Sequence, residues 1–354
     1  MSIAAVSPAL PRYNGPAAWK GAEIEDDPCW ARPFSASELA ELEAAVSETR
    51  RRGLDIIDID EAAFPLPTLG PALKVIRDEL ILGRGFVLLR GLPIEGRDID
   101  SVARLYWGIG RHIGRPVSQN AKGHLLGHVR DMGLHSSDPN VRVYQTTERQ
   151  YFHADSCDIV GLLCLQPAMR GGESRIVSSV SLYNEMARRR PDLAALLAEP
   201  QAVDRRGEVP PGKPPYYMVP VFNHHDGLLT TYYVRRYIVS CQRFPEVPRL
   251  TARHHEAFDL LDELADDPAL RLDMEFRPGD IQLLHNPTIL HDRGAFEDWP
   301  ESERKRHLLR LWLCPPNGRP LPRAFEDRWG SIEIGNRGGI LVDDTRLNVP
   351  LQPV

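Results

Sequence analysis

The sequence predicts a mainly β fold with decorating helices, and three observations carry that reading. From about residue 124 onward, short apolar or alternating runs succeed one another, HLLGHVRD, VRVYQTTERQYFHAD, IVGLLCLQPA and SRIVSSVSLY, separated by Gly, Pro and Asp. Long helical patterns are few and lie mostly ahead of that point. The regular strand–helix alternation that a parallel βαβ sheet requires is missing. With 354 residues, 42% of them hydrophobic, the chain can bury a sizeable core. It has no linker-like stretch and is read as one domain over 1–354. Residues 1–80 supply an arm and helices, 81–315 the core with a helical insertion at about 181–200, and 316–354 a tail.

Each element has a local cause. The first 30 residues are rich in Pro, Gly and Ala and predict an irregular arm. Ser35-x-x-Glu38 opens a helix to about Arg51, the hydroxyl and the carboxylate answering each other as a capping box. Pro71 suits the first turn of a second helix that Gly83 stops. GFVLLRGL, residues 85–92, is an apolar run between glycines and predicts a buried strand. Ile99–Ile113 returns to helical spacing. Residues 181–199 form the helical insertion, broken at Pro191, which lacks the amide a helix needs. LLTTYYVRRYIV (228–239) reads as strand, and TARHHEAFDLLDELADDP as a helix closed by Asp-Pro. LDMEFRPGDIQLLHNPTILHDRG reads as strand, Pro-Gly turn, strand, and HLLRLWLC as the last strand.

Composition excludes several classes of function. The net charge is −6 and charged residues make up 26%, so there is no nucleic-acid footprint. Five widely spaced cysteines without a C-x-x-C argue against a disulfide framework or a zinc–thiolate site. No run approaches the roughly 18 apolar residues of a membrane span, and the N-terminus lacks the pattern of a signal peptide. The expected setting is cytoplasmic, with a small-molecule substrate, no nucleic-acid or membrane partner, and a homo-oligomer left open.

The chemistry-bearing segment is Tyr151-Phe152-His153-Ala154-Asp155. Residues two apart on a strand share a face, so His153 and Asp155 can converge on one point. A third ligand must come from a distant strand. His291, in NPTILHDRGAF, is the best offer, with His285, six residues earlier on what reads as the same strand, as its rival. The adjacent pairs His224-His225 and His254-His255 point apart and make poor ligand couples. Two imidazoles and one carboxylate form the facial triad of non-heme iron(II) oxygenases, which leaves three cis positions for a bidentate 2-oxo acid and O2. Such a site needs a cation for the distal carboxylate of 2-oxoglutarate. In RHLLRLWL, Arg306 and Arg310 fall on one strand face, and Arg310 lies within an apolar run where an unpaired charge is costly.

These residues resemble, in order and spacing, those of the taurine dioxygenase-like (TauD/TfdA) family of Fe(II)/2-oxoglutarate-dependent oxygenases. GRGFVLLRGLP, FHAD, Gly171-Gly172-Glu173-Ser174, LLHNPTILHDRGAF and RHLLR carry the resemblance over roughly residues 80–315. It implies a double-stranded β-helix, or jelly-roll, with iron held by His153, Asp155 and His291. It also implies that Ser174, where Thr is more usual, helps hold 2-oxoglutarate. Arg306 would pair with its distal carboxylate and Arg310 would lie beside it, although the 15 residues from His291 to Arg306 leave the choice between the two arginines open. An intact Asp155 implies oxygenation rather than halogenation. Candidate substrate-lining residues are Gln119, Asn120, His128, Tyr144, Gln145 and Arg293. The expected reaction is hydroxylation of a small polar molecule, an amino acid or another carboxylate, with release of succinate and CO2. Desaturation or cyclisation on the same fold, and a non-catalytic metal-binding barrel, are the alternatives.

Overall fold

The computed structural model describes residues 10–137 and 141–353. Its centre is two facing sheets. The larger runs Ala31–Pro33, Phe86–Arg90, Ile281–His285, Ile159–Gln166, His307–Cys314 and Arg115–Pro116, and Leu126–Arg130 also pairs with His307–Cys314. The smaller runs Arg271–Met274, Ser174–Ser178, Ile289–Arg293 and Gln150–His153. The chain shuttles between them. Gln150–His153 lies in the small sheet, Ile159–Gln166 in the large, Ser174–Ser178 in the small again. The alternation then resumes with Arg271–Met274 in the small sheet, Ile281–His285 in the large, Ile289–Arg293 in the small and His307–Cys314 in the large. This shuttling is the winding of a double-stranded β-helix, as expected.

The pleat explains why the strands read as nearly continuous apolar runs: both faces are buried. Phe86, Val160, Leu284 and Trp312 of the large sheet meet Ile176, Leu272 and Ile289 of the small sheet between the layers. Their neighbours Val87, Leu89, Leu163, Leu283, Leu309 and Leu311 face the opposite way, in one cluster with side chains of the helices Ala36–Arg51, Leu69–Leu82 and Ile99–Ile113. The outer face of the small sheet, with Phe152, Val177 and Leu290, is covered by Ser179–Arg189, Pro191–Leu197 and Ala252–Asp266. The predicted capping box is present: the Glu38 amide donates to Ser35 Oγ and the Ser35 amide to the Glu38 carboxylate.

Three local expectations are corrected. Residues 141–155 are not one strand. Val143–Gln145 is a 3-10 turn, closed by the Thr146 hydroxyl on the Val143 carbonyl, and the strand is only Gln150–His153. Residues 228–239 contain a short strand, Leu228–Thr231, followed by a helix, Arg235–Ser240. Its β-branched and aromatic residues favour strand locally. The chain instead turns at Arg235, whose guanidinium pairs with Asp259 and Asp262 of the neighbouring helix, so tertiary contacts override propensity. His285 and His291 stand on different strands, one in each sheet, separated by the turn at Asn286–Thr288.

Candidate metal centre and adjoining cavities

His153 and His291 are directly paired across the antiparallel strands Gln150–His153 and Ile289–Arg293, which brings their ring centroids to 4.2 Å. Asp155 lies beyond the strand end, so the pleat argument does not place it. Its backbone amide donates to Asn286 Oδ1 at 2.9 Å, and its carboxylate accepts from Trp312 Nε1 at 2.9 Å. Ligand atoms of His153, Asp155 and His291 all lie within 4.8 Å of one another. Asp155 is 3.9 Å from His153 Nε2 and 4.0 Å from His291 Nε2, too far to hydrogen-bond them. Three buried donors thus converge without satisfying each other, which fits a divalent cation between them.

Protonation states agree with that use. His153 Nδ1–H donates to the Tyr151 carbonyl at 2.9 Å, leaving the Nε2 lone pair for a metal. The flexible Gln150 amide donates to that lone pair at 2.8 Å and must swing aside for an ion. Burial, then the neighbouring His153, push His291 down to about 3, so its ring is neutral. Burial raises the Asp155 carboxyl, but Arg310, the two histidines and the Trp312 hydrogen bond outweigh it and hold it below its ordinary range. The rival His285 is excluded from this cluster. It is fully buried, and its Nδ1 is engaged with Thr288 Oγ1 at 2.9 Å.

Two cavities share walls at Tyr144, Gln150, His153 and Arg310. The smaller contains Ser174, Arg293 and Arg306. Arg306 is buried, makes one long bond of 3.4 Å from Nη2 to the Gly172 carbonyl, and leaves Nη1 without a partner. Burial lowers it to about 10. Arg293 donates to the Glu148 carbonyl and leaves Nε and Nη1 unpartnered; burial and then Arg306 push it down to about 9. Two under-satisfied guanidiniums in one small pocket fit an anionic ligand with more than one carboxylate oxygen. Arg310, by contrast, is already engaged. Its Nε donates to Gln119 Oε1 at 2.7 Å, and its Nη1 lies 3.5 Å from Asp155 Oδ2.

The larger cavity, of about 1010 Å³, opens over His153 and Asp155, while His291 lines the smaller pocket. Gln119, Asn120, Tyr144 and Gln145 line the larger one. His128 does not: its ring nitrogens are taken up by His307 Nε2 at 2.8 Å and the Pro350 carbonyl at 3.0 Å. Arg293 belongs to the smaller pocket. Sequence reasoning missed Trp312, Asn286 and Gln150, which set the ligands, and Arg142, Arg206, Glu208 and Arg328, which line the large cavity. Only Trp312 carried a signal, standing two residues from Arg310 on the same strand face.

Fold and site together define a non-heme iron dioxygenase. Residues 52–312 match the family model described as "Taurine catabolism dioxygenase TauD, TfdA family", and the chain belongs to that family. It is 34% identical to FR-33289 synthase of Streptomyces rubellomurinus over 90% of this chain and 95% of that protein. It is 31% identical to a uridine-5'-phosphate dioxygenase of Amycolatopsis over 47% of this chain and 62% of that one. Among solved structures, asparagine oxygenase with Fe(II), 2S,3S-3-hydroxyasparagine and succinate shares the fold at TM-score 0.61 and 16% identity, covering 80% of this chain and 93% of that chain. The oxygenase OrfP with Fe and alpha-ketoglutaric acid does so at TM-score 0.58 and 13% identity, covering 80% and 93%. Among the described residues no helix is long and apolar enough to cross a membrane.

Proposed function

We propose that this enzyme binds iron(II) through His153, Asp155 and His291, takes 2-oxoglutarate as co-substrate, and hydroxylates a small polar molecule with release of succinate and CO2. The observation that carries this reading is the convergence of those three donors beside a pocket that buries the under-satisfied Arg306. When bound, iron with O2 and the oxo acid supplies the oxidising chemistry: one oxygen atom goes to succinate and the other into a substrate C–H bond.

The protein's part is binding and orientation. The Tyr151 carbonyl fixes the His153 tautomer, and Trp312 and Asn286 fix Asp155. Arg306 pairs with the distal carboxylate of the oxo acid, Ser174 Oγ adds a hydrogen bond, and Arg293 adds charge from the wall of the same pocket. Ser174 Oγ accepts from Gln282 Nε2 at 3.0 Å and would exchange that partner for the oxo acid. Gln119 holds Arg310 beside Asp155, at the boundary between the oxo-acid pocket and the large cavity, where the substrate sits. The charged and amide side chains set into that cavity's wall, among them Gln119, Asn120, Arg142, Arg206 and Glu208, support a polar substrate, and the name of the uridine-5'-phosphate dioxygenase is consistent with one.

Anaerobic titration of the protein with iron(II) and 2-oxoglutarate tests this. The expected result is a weak visible charge-transfer band saturating at one equivalent of each, followed by succinate formation once O2 is admitted. An iron-loaded, folded sample giving neither band nor succinate overturns it.

A further inference from the structure

The wall of the large cavity beyond Asp155 carries an excess of positive charge that the oxo-acid chemistry does not use. Arg142, Arg206 and Arg328 all line it, and each is wholly or largely buried. Among the described residues the carboxylate that answers this group is Glu208, whose Oε2 lies 2.6 Å from Arg142 Nη2 and 3.8 Å from Arg328 Nη2. Asp204 is 4.0 Å from Arg206 Nη1, but its carboxylate is already taken by Arg243 and Ser240. Three cations therefore share one carboxylate.

The group is held in place. Arg142 and Arg206 lie over the Tyr237 ring at 5.4 and 5.5 Å. Arg328 Nε donates to Ser156 Oγ at 3.1 Å, one residue from Asp155. Arg206 is the least satisfied. It is 7% exposed, its Nε has no partner, and its Nη2 reaches only the Val141 carbonyl at 3.4 Å. Its backbone has φ +56°, a left-handed conformation that a non-glycine residue adopts at a cost. A strained turn thus delivers an under-satisfied guanidinium into the cavity.

We propose that Arg142, Arg206 and Arg328 form the subsite for a dianionic phosphoryl or phosphonyl headgroup on the substrate. The inference rests on the oxygenase reading of this site and narrows its substrate class. A carboxylate is matched by one guanidinium fork. Three guanidiniums approaching from different elements, with a net charge of two, match a tetrahedral dianion instead. The headgroup binds beside Ser156, and the rest of the substrate extends from there toward His153 and His291.

Calorimetric titration of the full-length protein with propylphosphonate, ethyl phosphate, propane-1-sulfonate and butyrate tests this. The phosphonate and the phosphate ester should bind at least about tenfold tighter than the sulfonate and butyrate. Their affinity should fall as pH drops through the second P–OH ionisation, and the tighter of the two identifies the natural headgroup. Arg206→Gln and Arg328→Gln should each weaken propylphosphonate binding by about tenfold or more. Glu208→Gln, which removes the counter-charge, should tighten it, a direction that misfolding cannot imitate. Equal or tighter binding of the sulfonate or butyrate, arginine variants without effect, or weaker binding by Glu208→Gln overturns the proposal. The visible band of the iron–2-oxoglutarate chelate, recorded on the same samples, reports the oxygenase reading separately.

Discussion

At the scale of single residues, the ligands and the arginines behave differently because one set is mutually unsatisfied and the other unequally engaged. His153→Ala and His291→Ala should each abolish O2-dependent succinate formation and iron binding at micromolar metal, while His285→Ala keeps both in whatever fraction folds. The reverse result in an iron titration would make His285 the ligand. Arg306 is buried with little to bond to, whereas Arg310 is held by Gln119 and Asp155. Arg306→Ala should therefore raise the 2-oxoglutarate dissociation constant by on the order of a hundredfold, as loss of a desolvated ion-pair partner does. Arg310→Ala should act mainly on substrate coupling. Anaerobic binding to both iron-loaded variants decides between them, and a large loss confined to Arg310→Ala reverses the assignment.

At the scale of elements, caps and turns set how firmly the frame holds the site. Ser35→Ala removes one half of the capping box on Ala36–Arg51, which packs on the outside of the large sheet. It should cost about 1 kcal/mol in denaturant unfolding and leave turnover unchanged. Gly279 makes the turn between Arg271–Met274 and Ile281–His285. Its φ is +84°, its amide donates to the Cys164 carbonyl, and a Cβ there would stand 2.1 Å from the Leu92 carbonyl oxygen. Gly279→Ala should cost more than the cap, on the order of 2 kcal/mol, because backbone rather than a flexible side chain must yield. Equal melting temperatures for the two variants would contradict that ranking.

At the scale of the whole molecule, two features tie stability to the centre. The C-terminal tail returns to the site through Arg337, whose Nε and Nη2 grip Asp158 at 3.1 and 2.5 Å, both side chains at most 1% exposed. Arg337→Leu strands a buried carboxylate three residues from Asp155 and should cost roughly 3–5 kcal/mol. A thermal midpoint within a degree of wild type would refute this. The second feature is pH. Burial holds His285 well below its ordinary range and His291 at about 3. Both are neutral in the fold, whereas the unfolded chain protonates them near 6.5. Their contribution is complete above that value and is lost as pH falls toward the folded values. His291 should remove about 2 kcal/mol from the metal-free protein at pH 5, and His285 acts in the same direction. A melting temperature that does not fall between pH 7 and pH 5 would count against this.

What the sequence determined by itself is what rests on local spacing: the Ser35 cap, the Ile99–Ile113 helix, the apolar strands, and the H-x-D segment with a distant histidine and paired arginines. Order along the chain was enough to pick His153 and Asp155 and to favour His291 as their distant partner, and the structure brings the three together. The route to Asp155 was different from the one the strand period suggested. Asp155 lies past the strand end and is set by Asn286 and Trp312, which are 131 and 157 residues away in sequence. Only the tertiary structure separated His285 from His291, because the intervening turn sends them to different sheets. Only it assigned Arg293 to the smaller pocket, turned Arg235–Ser240 into a helix, and gathered Arg142, Arg206 and Arg328 around Glu208. Those outcomes depend on which segments the fold packs together, and no local period records which distant charge or backbone group will arrive beside a given side chain.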